Sequence, residues 1–236
     1  MRPVNRGEIP KKEDGTDKVY TSYKQAKDDL KNALGAYCSY CEMGIENQVD
    51  IEHVIPQHHD SSLENDWNNF LLACKTCNII KSDKNISRNG YVFPDTHNTS
   101  FLYKYSINGV NVRDDLDEDI KIVATATFNL VKLNRDVDTS NMTDDRKFAR
   151  NNSWNKAQEA LKDFLELLPI TSTPEKKYAL VNSTANTCNG FFSMWIQIFK
   201  DYPEVKKAIL ENVNGTDMQC YDENFNPKEN LRRSDS

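Results

Sequence analysis

Two cysteine pairs carry the clearest chemistry in this chain. Cys38-x-x-Cys41 and Cys74-x-x-Cys77 each present two thiolates across one tight turn, the bite that a tetrahedral Zn²⁺ takes. Thirty-two residues separate Cys41 from Cys74, more than the roughly 15–20 of a plain zinc ribbon. A structural zinc on Cys38, Cys41, Cys74 and Cys77 would therefore staple a long loop shut. Such a site contributes on the order of 10 kcal/mol to folding. Two ordinary pairs of buried thiols are the structural alternative. A redox role fits less well, because neither pair opens a long helix after a strand.

The stapled loop holds a second set of reactive groups. Asp50-Ile51-Glu52-His53-Val54-Ile55-Pro56 is followed by Asn69 sixteen residues after His53, then by Asn78 and Lys81. Phosphodiester hydrolysis needs a base to activate water, a metal to bind the phosphate, and something to orient the base. A neutral imidazole takes a proton from water near pH 7. A carboxylate and an amide oxygen are hard ligands suited to Mg²⁺ or Mn²⁺. Adjacent strand residues face opposite ways, so Glu52 and His53 cannot share one ion unless the strand ends, which Pro56 favours.

In order and spacing these residues resemble the HNH endonuclease family, built on the ββα-metal finger and often reinforced by four cysteines. The resemblance covers about residues 37–84, with Glu52 where the family more often has Asp. It implies His53 as general base and Glu52 as acidic metal ligand. It further implies Asn69 as the brace of the hairpin that orients the base, and Asn78 as the residue completing the catalytic metal site. Lys81 matches a frequent family lysine and is expected on the phosphate. The basic side chains Lys75, Lys81, Lys84 and Arg88 of the finger helix are the expected contacts to the substrate backbone.

Element signals place these groups. Thr21 or Ser22 can cap a helix through Leu34, ended by Gly35. Residues 49–55 and Phe70–Ala73 read as paired strands, and a helix is expected to begin at Asn78 and run to Lys84. The Asn108-Gly109 pair marks a hairpin between 101–106 and 110–113. Helices are expected over about 117–133, from a Thr143 cap to Leu168, and around 190–200 and 203–211. The expected fold class is α+β, a zinc-stapled ββα-metal module followed by a mostly helical one. Its divisions are an extended arm at 1–20, ordered only if something docks it, the nuclease module at 21–98, a hairpin-plus-helix partner-docking module at 99–213, and a frayed polar tail at 214–236. His58 and His59 read as solvated loop residues and His97 as structural. Cys188 and Cys220 read as free thiols, one buried and one near a mobile tail.

The 236-residue chain has no apolar run near the roughly 18–20 residues a bilayer helix needs, and its N-terminus lacks a secretory core. A cytoplasmic location is expected. The net charge of -6 divides into +2 over residues 1–25, -5 over 26–98 and -3 over 99–236. A protein that grips a phosphate backbone unaided is usually basic. The chain is thus expected to cut nucleic acid, DNA before RNA, while depending on a partner to hold it. More loosely, the Met1-Arg2-Pro3-Val4 arm, the helix leading into Cys38, and the Phe128–Arg135 segment before Arg146 and Arg150 resemble the PtuB family. Those are the HNH subunits of Septu and retron-linked antiphage systems. That resemblance implies an ABC-type, PtuA-like ATPase partner and a defence role. The alternatives are a stand-alone restriction-like or mobile-element HNH nuclease and a non-catalytic zinc-knuckle binding module.

Overall fold

In the computed structural model, which describes residues 1–46, 48–135 and 144–231, one buried apolar cluster runs from Met1 to Tyr221. A 3₁₀ turn at Tyr23–Ala26 leads directly into α1 (Lys27–Leu34), which ends at Gly35 with φ 73°. Ser22 and Gln25 form a reciprocal capping box over the turn. The antiparallel hairpin β1 (Asp50–His53) and β2 (Phe70–Ala73) follows, then α2 (Lys75–Lys81). A second hairpin, β3 (Tyr103–Ser106) with β4 (Gly109–Val112), precedes α3 (Glu118–Leu130) and the long α4 (Asp145–Leu167). The chain then forms α5 (Pro174–Asn186), α6 (Phe192–Ile198) and α7 (Pro203–Glu211). The α+β class with small antiparallel sheets and a helical remainder is as expected.

Several boundaries differ from the sequence signals for physical reasons. Helix α2 begins one turn before Asn78, because the Cys74 side chain accepts the Cys77 N–H and caps it. The hairpin turn is Ile107-Asn108, with Gly109 already paired to Ser106. Asp144 caps α4 by accepting the Arg146 N–H; the expected Thr143 cap lies outside the described residues. Helix α5 has no counterpart among the expected helices, although Thr173 caps it and Pro174 fills its first position, a strong start signal.

The ends of the described chain are packed rather than loose. Arg2 donates to the carbonyls of Leu34 (2.8 Å) and Asn214 (2.9 Å), satisfying the open end of α1, and lies over the Phe192 ring. Val4 bridges Thr216, so the arm docks on the chain itself. The polar segment from Gly215, expected to fray, is held through Leu231: Cys220 and Tyr221 are buried, and Asn98 binds the carbonyls of Lys228 and Leu231. Gly190 marks where the first cysteine turn meets the helices, since a Cβ there would lie 2.6 Å from the Glu42 carbonyl. Among the described residues no helix is long and apolar enough to cross a membrane.

Candidate active site and metal centre

The fold gathers all four expected zinc ligands. Cys38 and Cys41 lie on the turn after α1, while Cys74 caps α2 and Cys77 sits in its first turn. Their sulfurs lie within 4.8 Å of one another in a fully buried cluster, and Cys41 Sγ is 3.8 Å from Cys74 Sγ. A Zn–S bond of ~2.3 Å places the corners of a tetrahedron about 3.8 Å apart, so the donor set and its size fit zinc. Backbone N–H groups of Cys41 and Cys77 point at the sulfurs of Cys38 and Cys74, and Arg146 Nη1 donates to Cys77 Sγ at 3.2 Å. Burial alone would raise the Cys38 thiol, but hydrogen bonds from the other three cysteines hold it well below its ordinary value. Cys188 and Cys220 take no part; Cys188 is half-buried and Cys220, beside the tail, is buried.

The hairpin places Glu52 opposite Leu71 and His53 opposite Phe70. Side chains alternate along β1, which puts Asp50 and Glu52 on one face and His53 on the other. Helix α2 packs across both strands and carries Asn78 and Lys81 one turn apart. Asn78 Nδ2 donates to Asp50 Oδ2 at 3.1 Å, and Lys81 Nζ lies 2.6 Å from Glu52 Oε1. Lys81 also donates to the His53 carbonyl at 2.8 Å, and the Tyr40 hydroxyl reaches Glu52 Oε1 at 3.4 Å. Burial pushes the Glu52 carboxyl up to about 7, against the downward pull of Lys81. Asn69 Oδ1 accepts the Ile55 N–H and its Nδ2 donates to the Ile55 carbonyl, both at 2.8 Å, so it closes the end of β1.

His53 Nε2 lies 2.8 Å from the Glu64 carbonyl oxygen. A carbonyl only accepts, so Nε2 carries the proton and Nδ1 keeps its lone pair. Burial lowers the imidazole's affinity for a second proton, outweighing the opposite pull of that carbonyl. The rings of Tyr23 and Phe70 stand edge-on to it, at centroid distances of 4.9 and 5.2 Å.

Glu52 and His53 thus sit on the first strand of a hairpin braced by Asn69, with α2 laid across it and four cysteines bracketing it. Residues 38–84 match the HNH endonuclease family model. No curated protein matches the chain. The matched segment accounts for about a fifth of the sequence.

The expected substrate-backbone set does not form one cationic surface. Lys81 is 1% exposed and faces Glu52, so it is a buried counter-ion and not a phosphate contact. Arg88 is turned onto the Asp95 carboxylate and the Asn68 carbonyl, and exposed Lys84 folds back onto the Ile80 carbonyl. Lys75 is exposed at the start of α2. His58 and His59 are exposed, as expected, and His97 makes structural bonds to Phe93 and Thr96. Asp50, Tyr40 and the Glu64 carbonyl were not singled out from the sequence. Period-two alternation could have flagged Asp50 on Glu52's face, but nothing local pointed to the other two.

Glu52 and Asn78 are hard oxygen donors on adjoining elements, a set that fits Mg²⁺ or Mn²⁺ in type. Lys81 and Tyr40 both approach Oε1 of Glu52, and the Nδ2 of Asn78 is taken up by Asp50.

Proposed function

We propose that the chain is a metal-dependent endonuclease that hydrolyses phosphodiester bonds of nucleic acid, DNA first, with His53 as general base. The observation that carries this reading is the 2.8 Å contact from His53 Nε2 to the Glu64 carbonyl, which leaves Nδ1 as the proton acceptor. Water attacks phosphorus as its proton passes to Nδ1, and the P–O bond to the 3′ oxygen breaks. By resemblance to the family, the products carry 5′-phosphate and 3′-hydroxyl ends. Glu52 and His53 face opposite sides of β1, so a divalent ion held by Glu52 and Asn78 would meet the phosphate only around the strand end at His53, where it would stabilise charge on the phosphate oxygens and the leaving oxygen. Asn69 acts on the base indirectly, by fixing the strand end that carries it, and Lys81 favours the Glu52 carboxylate against the burial that raises its pKa.

His53→Ala should abolish cleavage in Mg²⁺ or Mn²⁺ while leaving zinc content and cooperative unfolding unchanged. Retained cleavage in that variant sinks the assignment.

The surroundings favour a cytoplasmic assembly in which residues 99–213 dock an ABC-type ATPase that restrains the nuclease in antiphage defence. Support comes from the acidic balance, from the dispersal of the finger-helix cations, and from exposed Phe148, Leu165, Leu167, Ile170 and Tyr178 on and after α4. Efficient cutting by the purified chain alone would favour a stand-alone nuclease instead. Absence of cleavage with the partner present would favour a binding module.

A further inference from the structure

We propose that Tyr23 is a positioning residue for the base: its ring, brought in by the turn before α1, fixes the orientation of the His53 imidazole. The inference rests on the reading of His53 as the base. It extends the nuclease centre beyond residues 38–84, because Tyr23 lies fifteen positions before the first cysteine.

The terminal torsion of a histidine is broad, so its ring is not oriented by rotamer preference alone. One hydrogen bond, Nε2–H to the Glu64 carbonyl, selects the tautomer. That bond alone is worth only about 1 kcal/mol net and would be exchanged readily for one to water. Walls on the ring must supply the rest. Phe70, fully buried and directly across the hairpin, forms one wall at 86° to the imidazole. Tyr23 forms another at 74° and closer, 4.9 Å between centroids.

Tyr23 is itself well anchored. Gln25 Oε1 accepts from the backbone N–H groups of Thr21 and Ser22, holding the turn, and Ala26 and Leu30 sink the following helix into the core. Helix α1 packs on β2 and the turn packs on β1, so the wall and the base ride on the same hairpin. Among the described residues the Tyr23 hydroxyl has no hydrogen-bond partner, so the ring is the working part.

The test uses the full chain with Tyr23→Phe, which keeps the ring, and Tyr23→Leu, which keeps apolar bulk without it. Long-range ¹⁵N–¹H spectra report the tautomer of each imidazole, and a His53→Gln spectrum assigns His53 among the four histidines. We expect the parent and Tyr23→Phe to show His53 protonated at Nε2 alone, with equal cleavage rates. Tyr23→Leu should show a tautomer mixture and a kcat lower by ten-fold or more at unchanged KM, because small misplacements of a reacting group are costly. Thermal unfolding should stay cooperative in both. A single tautomer with full kcat in Tyr23→Leu overturns the proposal, as does loss of both in Tyr23→Phe. Full cleavage by His53→Gln would overturn the nuclease reading instead, while the tautomer comparison needs no activity.

Discussion

Lys81 Nζ lies 2.6 Å from Glu52 Oε1, and the two side chains are 1% and 2% exposed. A lysine whose sequence position matches a phosphate-binding family residue is thus the internal counter-ion of the carboxylate beside the base. Its second bond, to the His53 carbonyl, ties α2 to the last residue of β1.

Removing one partner of a buried pair leaves an uncompensated charge, which costs about 3–5 kcal/mol. Lys81→Met should therefore destabilise the chain in urea unfolding, most strongly above pH 7, because the Glu52 carboxyl, already raised by burial to about 7, can otherwise neutralise by taking up a proton. Adding Glu52→Gln should recover part of the loss, since the residual group is then neutral. A phosphate-contacting lysine behaves otherwise: its loss raises KM and leaves unfolding unchanged. Equal stability of parent and Lys81→Met would sink the counter-ion assignment.

Arg146 gives a second prediction. Its guanidinium donates to Cys77 Sγ, to the carbonyls of Val131 and Lys132, and to Asp144, while Arg150 takes the Leu133 carbonyl. The segment before Arg135 and the two arginines, linked in sequence only as a resemblance, therefore meet at the cysteine cluster. A hydrogen bond from a cation favours thiolate sulfur, and partners outside the metal ligands typically change metal affinity 10–100-fold. Arg146→Met should lose zinc to a chelator at least ten-fold faster than the parent. Unchanged zinc release would show that Arg146 serves only the α3–α4 connection.

What was legible in the sequence follows the range of each signal. The cysteine spacing and the Glu52-His53, Asn69 and Asn78 order were readable because each depends on a local turn or a short strand. The strand Phe70–Ala73 was readable because a short apolar run between polar segments has few other solutions. The partner of Lys81 was not readable: an ammonium binds a phosphate or a carboxylate equally well, and only the packing of α2 on β1 decides between them. Tyr23 was hidden for the same reason, since its contact with His53 spans thirty residues. The segment after Gly215 looked loose because its polarity is satisfied by backbone groups of remote segments, such as the side chain and N–H of Asn98. Helix α5 differs from these, because its Thr173-Pro174-Glu175 start is a local signal that needs no remote contact.

Asp95 supplies a pH dependence. Its carboxylate is 2% exposed and held by Arg88 through both nitrogens, at 3.0 and 2.9 Å, and by Arg6 from the arm. Burial alone would raise its pKa, but the two guanidinium groups outweigh that and hold it below the ordinary carboxylate value. A carboxyl that binds its proton less readily when folded stabilises the fold above its unfolded pKa, about 3.9, and loses that contribution as pH falls through the folded value. Asp95→Asn removes the charge and should cost about 3 kcal/mol at pH 7, because two arginines lose their counter-ion. The gap between parent and variant in urea unfolding should stay constant from pH 7 to about pH 5 and narrow below about pH 4, where the carboxyl of the unfolded parent takes up its proton before the folded one does. A gap that holds its size to pH 3, or widens there, would show that Asp95 anchors the arm by shape and not by charge.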